Sequence, residues 1–224
     1  VALFAPVLAP YDPFKLGIPY IKPCAEHPLG TNDVGQDLLS ELIYGTRVSM
    51  FIGIFTALIV TVLAALLALV AGYYKGWVDR IVTALTNVTM GLPSLALTVL
   101  LTAYLSPGKL SMIIAISLTA WTGTSRILRS RVVQLCEMPF VKIEKAIGMN
   151  DFVIMVKHIL PNLKDIILSR AALSVSSAIM MESSLSFLGL GSYKEKSWGL
   201  ILHYAFYQRG VIRGYYWCYL PPIT

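Results

Sequence analysis

The feature that most constrains this chain is the stretch from Val48 to Gly72, about 25 residues without a charged side chain. Roughly 20 apolar residues in helix cross about 30 Å of hydrocarbon, so the stretch is long enough to span a bilayer. Further apolar runs follow at Ile81 to about Leu105, Leu110 to about Thr124 and Ile166 to Leu190. They are continuous rather than alternating, which predicts an all-α polytopic membrane protein and excludes a barrel. Composition agrees: 56% hydrophobic and 13% charged residues with mean hydropathy +0.70, where soluble domains carry about a quarter charged residues.

Charge sets the orientation. Eight of the 18 Lys and Arg lie between Arg126 and Arg170, and cations concentrate on the cytoplasmic side. That places residues 73 to 80 and 125 to 165 inside, and 10 to 47 and 191 to 214 outside. The net charge of +6 is explained by this bias rather than by nucleic-acid binding. Cys24, Cys136 and Cys218 match neither a disulfide framework nor a zinc pattern, and His27, His158 and His203 lack ligand spacing.

The chain divides in order. Residues 1–9 read as the end of a clipped first span and 10–47 as an extracytoplasmic segment. Leu38, Leu39, Leu42 and Ile43 fall on one helical face there, with Asp37 and Glu41 opposite. Thr31 or Asn32 is the expected cap and Gly45 the expected stop. Residues 48–190 form the transmembrane core. The turn at 106–109 is short, residues 191–214 return outside with a short helix at Trp198–Tyr207, and 215–224 open a last span that is otherwise absent.

Two features inside the core point to function. Pro93 removes a backbone donor and kinks the second span. Glu182 is an ionisable group within a span, which is expensive in hydrocarbon and marks a pathway, gate or ion pair; a carboxylate snorkelling to water is the alternative. With Ser183, Ser186 and Phe187, these two residues make up the candidate pathway or gate. A small-residue face at Ser174, Ser176, Ser177 and Ala178 suits close helix contact or a wet cavity.

Residues 140 to 162 are a polar, helix-prone interruption between spans. Met138-Pro139 starts it, Gly148-Met149-Asn150-Asp151 breaks it, and Leu160-Pro161-Asn162 is the expected end. A two-part helix of this kind suits docking into a partner's groove.

The spacing of Gly148, eleven residues, then Leu160-Pro161 resembles the EAA loop of binding-protein-dependent ABC transporter permeases. The three leading positions fall on Lys142, Ile143 and Glu144, so the acidic-alanine-alanine triplet is poorly kept. His158 replaces the usual isoleucine, and HILPN is typical of the dipeptide, oligopeptide and nickel branch. HPLGTNDVGQDLLSELIYGTRVSM and ESSLSFLGLGSYKEKSWG resemble the same branch, in particular its second permease subunit; Gln36 stands where arginine is common there.

The resemblance implies a type I ABC importer permease fold with six spans when intact. It also implies a homologous second permease subunit, two cytosolic ATPases, an extracytoplasmic solute-binding protein and a prokaryotic cytoplasmic membrane. ATPase coupling would fall on Lys142, Ile143, Glu144, Ala146, Gly148, His158, Leu160 and Pro161. The chain has no GxxxxGK[ST] phosphate loop, so ATP and magnesium belong to the partners and this chain is expected to be neither an enzyme nor a cofactor or metal carrier. Peptide import is the expected activity, with nickel or metal-chelate import the alternative. A secondary transporter and a membrane scaffold or respiratory subunit are more distant ones.

Overall fold

The computed structural model describes residues 1–223 apart from Pro107, Arg209 and Val211. The expected turn at 106–109, outer segment 191–214 and last-span start 215–224 lie outside the described residues at Pro107, at Arg209 and Val211, and at Thr224. Among the described residues the regular elements are all helical, with long loops at 9–37 and 188–197 and an isolated bridge between Thr31 and Asp37. They comprise a turn of helix α1 (Ala5–Leu8), α2 (Leu38–Tyr74), α3 (Gly76–Gly91), α4 (Ser94–Tyr104), α5 (Lys109–Cys136), α6 (Pro139–Ala146), α7 (Asp151–Phe187), α8 (Trp198–Tyr207) and α9 (Tyr216–Tyr219). They fall into two compact units, one of 1–54, 101–113 and 177–224, the other of 55–100 and 114–176.

α2 is one helix of 37 residues, about 55 Å at 1.5 Å per residue. The expected stop at Gly45 is therefore overturned. Glycine is admitted there by packing: a Cβ at Gly45 would lie 3.2 Å from the Trp198 ring. The expected cap is corrected as well. Asp37 caps the helix, its Oδ2 accepting from the Ser40 amide at 2.8 Å and the Ser40 hydroxyl at 2.7 Å, while Asn32 folds its own turn by accepting from the Val34 and Gln36 amides. Asp37 and Glu41, expected opposite the leucine face, are both buried, where His27 meets Asp37 at 2.9 Å and Lys196 meets Glu41. Leu38, Ile201, Trp217 and Cys218 form the apolar core beside them.

In the second unit α2 buries a line of small residues, Ala57, Ala64, Ala68 and Ala71, which lets a neighbouring backbone come close. Val60 and Ala64 pack on Trp121 of α5, and a Cβ at Gly72 would stand 2.7 Å from Val132. Leu58, Val62 and Leu66 are exposed, an outward apolar face suited to lipid.

The second expected span is not a kinked helix but a broken one. α3 and α4 meet at 94°, with Leu92 extended at φ −97°, ψ 144°, the conformation a following proline favours. By length and apolarity α2 and α7 can each cross a membrane, and the bent α3–α4 pair has the composition of either a broken third span or a re-entrant loop. α5, which carries the expected third span, is not among them, since Ser117, Thr119, Thr122 and Thr124 dilute its apolar half and arginines fill the rest. Those arginines are used inside the fold: Arg129 is paired with Asp79, and Arg126 donates to Asn87 Oδ1 at 2.8 Å.

Leu160-Pro161-Asn162 does not end a short piece. Helix continues from Asp151 to Phe187, with a π-helical stretch at Ile154–Ile159 whose register is carried by the Leu160 amide donating to the Met155 carbonyl. A proline inside a helix lacks a donor and crowds the carbonyl four residues back; the wider turn just before Pro161 accommodates both effects. α7 closes at Gly189, φ +83°, with Gly189 and Leu190 amides returning to the Ser186 and Leu185 carbonyls, a Schellman end.

Candidate functional site

The hairpin of α6 and the start of α7 is built on one apolar cluster of the second unit. Val141, Ile154, Met155, Ile159 and Leu163 pack with Leu69 and Tyr73 of α2 and Val132 and Leu135 of α5. Pro139 occupies the first turn of α6, where its missing donor does no harm. Gly148 stands at φ +82°, and the amides of Gly148 and Met149 return to the Lys145 and Glu144 carbonyls, so the glycine is the left-handed C′ residue of a Schellman end. Asn150 then caps the next helix through the Phe152 amide at 2.8 Å.

Polar contacts fix the hairpin further. Tyr73 donates to Asp151 Oδ1 at 2.6 Å, and Lys145 Nζ lies 4.0 Å from the Tyr73 ring centre. Lys75 and Lys142 both reach Glu137, at 2.8 and 3.2 Å, and hold its carboxyl below the ordinary carboxylate range. His158 Nδ1 lies 2.7 Å from Glu144 Oε1. The far atoms of that pair, His158 Nε2 and Glu144 Oε2, are buried without partners among the described residues.

Of the predicted coupling residues, Lys142, Ile143, Ala146, Gly148 and Pro161 are exposed, while Glu144, His158 and Leu160 are half-buried. The structure brings Glu144 and His158 together. Sequence reasoning missed Ile147 and Phe152, which with Ile143 are exposed by 70%, 66% and 61%. An apolar residue on either side of the glycine break was the signal.

The second candidate site lies in the first unit. Glu182 has 0% exposure, so the snorkelling alternative is overturned. Its Oε2 accepts from Ser49 at 2.9 Å and its Oε1 from Ser186 at 2.7 Å, and the Trp198 amide at the start of α8 donates to Ser49 Oγ at 3.4 Å. Ser183 is half-buried beneath Gly199 of α8. Phe187 is exposed at the end of α7, edge-on to Phe206 at 5.4 Å. Pro93, at the α3–α4 break of the other unit, is exposed.

A family model described as "binding-protein-dependent transport system inner membrane component" matches residues 64–207, from the middle of α2 to the end of α8. The chain belongs to this family. Among curated relatives of this inner membrane component, the dipeptide transport system permease protein DppC of Bacillus subtilis is 35% identical over 204 residues, covering 90% of this chain and 64% of the relative. The glutathione transport system permease protein GsiD of Pectobacterium atrosepticum is 31% identical, covering 92% and 69%. The oligopeptide transport system permease protein OppC of Bacillus subtilis is 32% identical, covering 85% and 63%. The chain thus spans about two thirds of the length of these relatives. A chain of the inward-facing MetNI methionine ABC transporter shares the fold, with TM-score 0.62 over 81% of this chain and 93% of that one at 16% identity.

Within the inner membrane component, the matched region contains the whole α6–α7 hairpin and Glu182. Among the described residues, no group of three or more His, Cys, Asp or Glu is placed to hold a metal ion.

Proposed function

We propose that this chain is the transmembrane permease subunit of an ATP-driven importer of dipeptides or oligopeptides, a multi-pass protein of a prokaryotic cytoplasmic membrane. The observation that carries the reading is the α6–Gly148–α7 hairpin. It is anchored by a packed cluster and leaves the apolar side chains of Ile143, Ile147 and Phe152 exposed. An exposed apolar patch on an ordered element marks an interaction surface, and a helix with spaced apolar anchors suits a partner's groove. The partner is a cytosolic ATPase that holds ATP and Mg²⁺, one of two serving this chain and a homologous second permease. An extracytoplasmic solute-binding protein delivers the cargo, whose peptide class is supported by the names of the DppC and OppC relatives.

Closure of the ATPases displaces the hairpin, and the shared cluster carries that displacement into α2, α5 and α7 as rigid bodies. Alternating access follows if those helices have two stable packings. The Pro93 break and the Glu182, Ser183, Ser186 and Phe187 end of α7 are the elements we assign to pathway and gate.

The test uses the whole importer. A cysteine replacing Ala146 should cross-link to the ATPase. Phe152→Asp should cut ATP-dependent peptide uptake at least 30-fold, since central anchors are worth about 2 kcal/mol or more. Intact uptake and co-purification in Phe152→Asp, with no cross-link from Ala146→Cys, would overturn the reading.

A further inference from the structure

A cleft of about 530 Å³ in the first unit plays no part in the reading above; its size lies within the range of small-molecule sites. Four cations line it: Arg47 of α2, Lys109 at the first residue of α5, and Lys194 and Lys196 from the loop before α8. They face one carboxylate, Glu195, whose Oε1 pairs with Lys109 at 2.8 Å. Lys196 is committed elsewhere, to Glu41 and to Gln36 Oε1 at 2.7 Å. Among the described residues no carboxylate pairs with Arg47 or Lys194, and both are exposed. The lining is therefore positive overall.

Two further observations point to a ligand. Burial first, and the Arg47 charge second, hold the Lys109 ammonium below the ordinary lysine value even with Glu195 at 2.8 Å. An anion entering the cleft would favour the charged form of this lysine. The remaining wall is aromatic, from Phe14, Tyr44 and Phe51, with Lys109 Nζ 5.4 Å from the Phe51 ring centre and Lys196 Nζ 5.5 Å from that of Phe14. A cation pair beside aromatic rings recognises an anionic head on an apolar body. Arginine does so with the planar fork that matches a carboxylate or phosphate.

We propose that this cleft is a binding site for a carboxylate or phosphate group carried on an apolar body. The chemistry is supplied by the C-terminal carboxylate of a short peptide or by the phosphate of an anionic lipid. The site stands on the cleft itself; assigning its carboxylate to a transported peptide rests on the function proposed above.

The experiment uses the whole importer purified in detergent, as wild type and as the R47Q/K194Q variant. Both replaced side chains are exposed, and unchanged thermal unfolding confirms an intact fold. In the first arm, binding of the dipeptide Ala-Phe is compared with that of its C-terminal amide. In the second, retention of phosphatidylglycerol is compared with that of phosphatidylcholine by native mass spectrometry. A preference of about tenfold for the charged probe in either arm, lost in the variant, supports the site, and the responding arm names its source. Wild type and variant that bind all four probes alike overturn it. A wild type that transports no peptide yet prefers phosphatidylglycerol in an Arg47- and Lys194-dependent way sinks the peptide function and leaves the site standing.

Discussion

Ser49 and Glu182 stand 133 residues apart in the chain and are joined by a 2.9 Å hydrogen bond to a carboxylate with no exposure. With the Trp198 amide behind Ser49 and the Ser186 hydroxyl on the other oxygen, the bond ties α2, α7 and α8 at one point. Ser49→Ala removes one of two donors from a buried acid, which costs about 1–3 kcal/mol. Its thermal unfolding should fall clearly below that of the wild type in the assembled complex. Glu182→Gln keeps the shape and an acceptor, and its loss should be smaller than that of Glu182→Ala.

Gly199 carries the same junction by contact. A Cβ there would lie 2.3 Å from the Ser183 carbonyl oxygen and 2.7 Å from both Ser183 Cα and Ser186 Cβ. Backbone atoms cannot swing aside, so Gly199→Ala must push α8 off α7. Overpacking of this kind costs about 1–3 kcal/mol, against a gain of about 1 kcal/mol in helix propensity. Net destabilisation in a thermal melt is the expected result, and a stabilised Gly199→Ala protein would contradict the close packing.

The long uncharged run at Val48 to Gly72 made a membrane helix legible, because hydrocarbon length is a local property of sequence. The limits of α2 were not legible. Gly45 reads as a stop until Trp198 is known to press against it, and the burial of Asp37 and Glu41, read as lying opposite the leucine face, is not visible until His27 and Lys196 are known to meet them. The break between α6 and α7 was legible from Gly148, but Pro161, read as the end of a short piece, lies inside a helix that runs on to Phe187. The π-helical turn that lets Pro161 remain inside a helix was not legible, since its residues Ile154, Met155 and Ile159 pack into a cluster drawn from distant parts of the chain. Glu182 was legible as an anomaly, but its donors came from the distant Ser49 as well as the neighbouring Ser186.

Two carboxyl groups outside the spans respond to pH with opposite signs. Burial raises Asp33 above its ordinary 3.8, so its favourable contribution is present below that value and is lost as pH rises through the folded one. Asp33→Asn should therefore stabilise the protein at neutral pH and leave it unchanged under strong acid. Lys75 and Lys142 lower Glu137 beneath its ordinary 4.5; its contribution is present above that value and fades as pH falls through the folded one. Glu137→Gln should lower neutral-pH stability slightly, and less in high salt, because the pair is solvent-exposed. Melting temperatures of both variants against pH, taken as differences from wild type, check the two signs.

The pair of Glu144 and His158 links α6 to the π-helical stretch of α7 at 2.7 Å. Removing either partner strands the other in a half-buried place, whereas removing both leaves no polar group to satisfy. Glu144→Ala and His158→Ile should each destabilise the hairpin, and the double variant should be less impaired than the sum of the two. A coupling energy of about 0.5–3 kcal/mol in a double-mutant cycle is expected for residues in direct contact. The same cycle read on ATP-dependent uptake separates two roles. If the pair serves only to hold the hairpin, the double variant recovers uptake along with stability. If the partly exposed Glu144 and His158 side chains also touch the ATPase, stability recovers and uptake does not, because docking then lacks both groups. Strictly additive losses in stability would show that the contact carries no coupling between the two helices.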